Sequence, residues 1–280
     1  MTRRRRRRLA AWVNLVLVLS GVGYAVWLAR GPATTPSVGT TTASPSVRAD
    51  GSTVTRAPSE HVPDGSCTPA VADGIPVQPG VATAVPDAST SRQALAGLTV
   101  APRTDGATFC RGRFGPDTWP DLDANGCSTR QDVLVRQATT VSTRAIASHG
   151  GRCQEAISGT WIDPYTGETI ALSNLKDPAQ AQLIQIDHVV SLYNAWVSGA
   201  SRWTDAQRVI FANDLAAPEL QAVAGAVNFA KDHAGAEAWQ PPAGQCAFAR
   251  AYVEVKRKYD LSVTVRERDA LDAMLGTCPA

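Results

Sequence analysis

The chain has 280 residues, 44% of them hydrophobic and 19% charged, with 27 Lys and Arg against 25 Asp and Glu. Seven basic residues, Arg3–Arg8 and Arg30, flank an uncharged N-terminal run, so the remainder carries 20 basic against 25 acidic side chains, a net of −5. That balance excludes a protein that holds nucleic acid by its overall charge and leaves a local site as the electrostatic route to such a partner.

The uncharged run "LAAWVNLVLVLSGVGYAVWLA" covers residues 9–29. Its length suits one membrane-spanning helix, which needs about 20 apolar residues, and the exit "VWLARG" lacks the small-residue pattern of a signal-peptide cleavage site. Residues 1–30 therefore read as a cytoplasmic arginine tail and signal anchor, with the rest of the chain outside the cell; secretion after cleavage is the alternative. Residues 31–97 follow as a Ser/Thr/Pro-rich disordered linker in which only "SRQALAGL" has a helical look. The folded domain is expected over 98–280, a length of roughly 180 residues that is ample for one core.

In that domain, "NG" at 125–126 marks a turn and Ser128 caps a helix from Thr129 to about Gln137. "TTVSTRAIAS" is rich in strand-forming residues, and "ISGTWI" and "ETIAL" form a hairpin around the "DPYTG" turn. "AQLIQIDH" ends a strand, "VVSLYNAWVSGA" is helical, and Thr204 caps a helix over "TDAQRVIFAND". "PELQAV" is extended and residues 224–239 read as one helix. Two more helices close the chain, one with Phe248, Tyr252, Val255 and Tyr259 at helical spacing, the other capped by Thr264. The class is α+β, helix-rich, with a small antiparallel sheet. Six cysteines outside the apolar run favour disulfides; proximity pairs Cys127 with Cys153 and Cys246 with Cys278, leaving Cys67 with Cys110.

The chemistry concentrates at Asp187-His188, an acid and an imidazole where a strand ends. Phosphodiester hydrolysis needs a base for water and a hard cation for the phosphate charge. His188 supplies the base, Asp187 a carboxylate ligand and Asn228 an amide oxygen from a later helix, a donor set that suits Mg²⁺; Mn²⁺ or Zn²⁺ would be substitutes. Asp187 also has a bland reading as a helix cap, and His233 beside Asp232 is a weaker pair. His61 and His149 sit in linker and turn sequence. The tryptophans belong to the core, save that one exposed ring near a cleft could stack on a base.

The runs "FGPDTWPDLDANGCSTRQDVLVRQ", "SGTWIDPYTGETI", "IQIDHVVSLYNAW", "FAND", "VNFAK" and "AWQPP" together resemble secreted actinobacterial HNH endonuclease family proteins, relatives of the C-terminal nuclease domain of GmrSD-type restriction enzymes. The resemblance covers about residues 103–275. It implies a ββα-metal (HNH, His-Me finger) core with Asp187 and Asn228 as metal ligands and His188 as base. It also places Lys231 near phosphate, and Arg130 and Asp132 in an element flanking the site. Glu219 stands where the family carries an asparagine that orients the base, with Asn213 nearby as a substitute, while Ser128 and Asn194 stand where acids are usual.

The expected function is that of a metal-dependent endonuclease acting on DNA, with RNA as the alternative substrate and no protein partner indicated. The rival is a catalytically degenerate nuclease fold that binds nucleic acid or an envelope polymer. A zinc peptidase is disfavoured because the four histidines include no H-x-x-x-H pair, and no G-x-S-x-G nucleophile motif is present.

Overall fold

A computed structural model describes residues 67–116, 118–146 and 152–279. The predicted anchor at 9–29 lies outside the described residues, and no helix among those described is long and apolar enough to cross a membrane.

The first helix, α1 (Ala88–Gly97), starts where the Asp87 carboxylate accepts the Thr90 N–H at 2.7 Å and buries Leu95 in the main core. The folded unit thus reaches upstream of the boundary expected at residue 98. Cys67 bonds Cys110, and Thr83 donates its N–H to Ala216 at 2.9 Å, so 67–97 is fastened to the domain and is not a linker. Short 3-10 turns follow at Gly106–Thr108 and Arg111–Phe114. The second helix, α2 (Thr129–Gln137), begins at Ser128 as expected and runs directly into β1 (Ala138–Ala145). β1 pairs antiparallel with β2 (Gln154–Ile162), which pairs antiparallel with β3 (Thr169–Leu172) around the predicted turn.

A one-turn helix, α3 (Pro178–Ala181), leads into β4 (Ile184–His188), then α4 (Leu192–Val197) and α5 (Asp205–Ala212), the last closed by a Thr204/Gln207 capping box. β5 (Leu220–Ala224) returns antiparallel to β4, and α6 (Gly225–Lys231) follows at once. α7 (Gln245–Lys258) and α8 (Val265–Leu275) complete the chain. The α+β class is as expected, but the strands form two small antiparallel sheets, β1-β2-β3 and β4-β5. All three anticipated disulfides are present.

The helix expected over 224–239 stops at Lys231. Asp232 takes φ 51°, and its N–H closes on the Asn228 carbonyl at 2.9 Å. An aspartate tolerates this left-handed backbone better than a β-branched residue does, and it ends the helical ladder.

The β4–β5 pair lies between two apolar clusters. Strand periodicity sends Ile184 and Ile186 toward a cluster with Val133, Leu134 and Trp161, while Val223 and Val227 join the larger cluster built on α4, α5, α7 and α8. Both cores therefore hold the strand that ends in His188.

Candidate active site

Alternation along β4 puts Gln185 and Asp187 on the side of α6, while His188 continues the phase of Ile186. Asp187 is buried, and its Oδ2 accepts the Tyr165 hydroxyl at 2.6 Å. Its Oδ1 accepts Lys231 Nζ at 2.9 Å, and Lys231 also donates to the His188 carbonyl at 2.7 Å. Burial holds the Asp187 carboxyl above its ordinary range, with the Lys231 charge and the Tyr165 hydroxyl pulling the other way.

His188 donates Nε2–H to the Ala212 carbonyl at 3.0 Å, because a carbonyl can only accept. That bond leaves Nδ1 with the lone pair. The imidazole stacks on Trp119 with ring centroids 5.6 Å apart and planes 10° apart. Burial pushes its pKa down to about 3, the Arg111 and Lys231 charges act in the same direction, and the Ala212 bond opposes them. The ring is thus neutral at physiological pH.

Two cavities meet at this ring. One, of about 260 Å³, is lined by Arg111, Gln185, Asp187, His188, Asn228 and Asp232 among others. The second, of about 200 Å³, includes Arg111, Trp119, His188, Ala212 and Asn213 in its wall. Together they form a cleft over the β4 terminus.

Of the predicted site residues, Asp187, His188, Asn228 and Asn213 reach this cleft. Asn228 donates Nδ2 to Gln185 Oε1 at 2.8 Å, which turns its amide oxygen into the group available to a ligand. Asn213 and Glu219 do not orient the base, a role taken by the Ala212 carbonyl. Asn213 Nδ2 is spent on the Val209 carbonyl at 3.0 Å. Glu219 is fully buried, accepts the Val190 N–H on Oε2 at 3.1 Å, and has no partner on Oε1 among the described residues. Burial raises its carboxyl well above the ordinary value.

Lys231 is buried and turned toward Asp187, so the expected phosphate contact is corrected. Arg130 lies on α2 outside the lining of either cavity. Asn194, one of the positions that departs from the resembled pattern, bonds Lys256 and Glu267 in the helical core and takes no part in the cleft. Arg111, absent from the sequence reading, lines both cavities. Its signal was the "CRGRFG" run, two cations beside a cysteine.

A divalent ion was expected on Asp187 and Asn228. Among the described residues no three His, Cys, Asp or Glu side chains are grouped to hold a metal ion. Asp187 already shares both oxygens, one with an ammonium group that competes with any cation. The donors as arranged do not fit a divalent centre.

A family model for the C-terminal domain of GmrSD restriction endonucleases matches residues 129–274, and the chain belongs to that family. It is also 42% identical over 196 residues, 69% of this chain and 87% of the relative, to an uncharacterized secreted protein of Arthroderma benhamiae (strain ATCC MYA-4681 / CBS 112371). No solved structure matches.

Proposed function

We propose that this protein hydrolyses phosphodiester bonds of nucleic acid, DNA foremost, outside the cell, with His188 as general base. One observation carries the reading: a neutral imidazole whose Nε2–H is committed to Ala212, so that Nδ1 faces its task unprotonated. Water bound at Nδ1 gives up its proton as its oxygen attacks phosphorus, and the bond to the leaving sugar oxygen breaks with that oxygen protonated from solvent. Arg111 lines the same cleft and offsets phosphate charge. The charge of a bound phosphodiester raises the basicity of His188 toward the useful range. The antiparallel β4–β5 pair followed by α6 supports a ββα arrangement of the HNH kind, and membership of a nuclease family supports the reaction class.

Three disulfides and the secreted relative support an extracellular location, with the run at 9–29 as a tether or a cleaved leader.

The test incubates the full chain with plasmid and single-stranded DNA in Mg²⁺, Mn²⁺, Zn²⁺ or EDTA, beside His188→Ala. Cleavage should fall by about 10²–10⁴-fold in the variant. Nicking equal in both proteins would remove His188 from the chemistry. Binding without cleavage in every metal would instead favour the second reading, a degenerate fold that binds nucleic acid. The Asp187–Lys231 ion pair is the observation that speaks for it.

A further inference from the structure

The loop before α2 reads Asp121-Leu122-Asp123-Ala124-Asn125-Gly126, and Asp132 lies at the twelfth position counted from Asp121. Oxygen-bearing side chains at positions 1, 3, 5 and 12, with glycine at 6 and a helix opening near position 9, follow the pattern of a calcium-binding loop. We propose that the Asp121–Asp132 loop binds one calcium ion.

Backbone and side chains carry this independently of the cleft. Ala124 and Gly126 take φ 57° and 92°, the two left-handed steps that turn the loop back on itself. Asp121 accepts the N–H groups of Asn125 at 3.2 Å and Gly126 at 2.8 Å, which points positions 1 to 6 inward. Asp132 is 8% exposed, and its Oδ1 is tied into the loop by Asn125 Nδ2 at 2.8 Å. Its Oδ2 is buried with no hydrogen-bond partner among the described residues. A carboxylate oxygen stripped of water and left unbonded is costly, so it marks a place where a cation is wanted.

The Asn125 amide nitrogen sits between Asp132 Oδ1 and Asp123 Oδ2, the latter at 3.1 Å, placing a weak partial positive charge between two carboxylates. The Arg136 guanidinium lies 3.6 Å from Asp123 Oδ2, so one of the three carboxylates already has a cation beside it. Asp123 is also pressed against Gly80, where an added Cβ would meet its Oδ2 at 2.2 Å, so the carboxylate cannot swing away on that side. The three carboxylates do not enclose an ion by themselves. Calcium takes about 6–8 oxygens, and the count is completed by the Cys127 carbonyl at position 7 and water; the Asn125 amide oxygen accepts the Cys127 N–H at 2.6 Å and serves to shape the loop. Asp121 is exposed and gives the ion its entry.

Calorimetric titration of the full chain with CaCl₂, disulfides intact and nucleic acid absent, should show one ion bound per chain. The thermal midpoint should rise by about 5–10 °C at about a hundredfold excess over Kd. Asp132→Asn keeps the shape of the side chain and should weaken binding by about tenfold or more; Asp121→Asn, at an exposed position, should do the same and serves if the first variant folds poorly. No heat and no midpoint change up to about 10 mM CaCl₂, beyond the weakest extracellular calcium modules, would overturn the proposal. So would binding unchanged in both variants, binding abolished by Asn228→Ala instead, or tighter binding of Mg²⁺ than of Ca²⁺. None of these outcomes depends on whether the cleft hydrolyses anything.

Discussion

Among the described residues a lysine–carboxylate pair is buried in two places, and the two pairs behave differently. In the helical core, Lys256 Nζ bonds Asn194 Oδ1 at 2.6 Å, Ser198 Oγ at 3.1 Å and the Ser262 carbonyl at 2.8 Å, beside Glu267 at 3.4 Å. Glu267 in turn accepts from Tyr252 and Asn194. Burial alone would raise Glu267, yet Lys256, Tyr252, Arg103 and Asn194 outweigh it and hold the carboxyl below its ordinary range. Beneath the cleft, Asp187 has Lys231 and Tyr165 and is still held above that range, and Glu219 nearby keeps an oxygen with no partner among the described residues. Complete hydrogen bonding makes the first pair scaffold. The second is underserved and lies where a strand end meets a cleft, the setting in which displaced ionisation serves function.

The largest effect should come from Lys256→Met, which strands Glu267 in the core and costs about 3–5 kcal/mol in urea unfolding. Lys231→Met should cost less, about 1–3 kcal/mol, because Asp187 can take up a proton and keep its Tyr165 bond. Equal losses would break the comparison.

The cleft groups also predict opposite pH slopes. His188 has a folded pKa below its unfolded value, so its contribution is whole above about pH 6.5 and is lost as pH falls toward about 3. His188→Gln should flatten that limb by a few kcal/mol between those limits. Glu219 has a raised folded pKa, so its contribution is present below about pH 4.5 and fades as pH rises. Glu219→Gln should therefore gain about 1 kcal/mol near pH 8 and nothing at pH 4, read from denaturant midpoints at each pH. A gain that grew toward acid would refute the raised carboxyl. Smallest is Trp119→Ala, which removes the ring stacked on His188 and should cost about 0.5–1.5 kcal/mol.

Local chemistry was legible in the sequence where it acts over a few residues. Ser128, Thr204 and Thr264 each cap the helix assigned to them, and the "DPYTG" turn joins the predicted hairpin. His188 was legible as the end of a strand beside an acid. Hidden from the sequence was what depends on distant partners. Asp187 reads as a ligand until Lys231, 44 residues on, fills its oxygen. Helix α6 looks twice its length until Asp232 adopts a backbone set by its surroundings. Arg111 and Trp119 reach the cleft only through the path of an irregular segment that no periodicity describes.

That segment has covalent ends. Cys110, just before Arg111, is bonded to Cys67, and Cys127 is bonded to Cys153, so the wall bearing Arg111 and Trp119 is stapled on both sides. The remaining bridge, Cys246–Cys278, belongs to α7 and the chain end behind α8. Two of the three bridges thus fix the segment that lines the cleft, and the third closes the helical body.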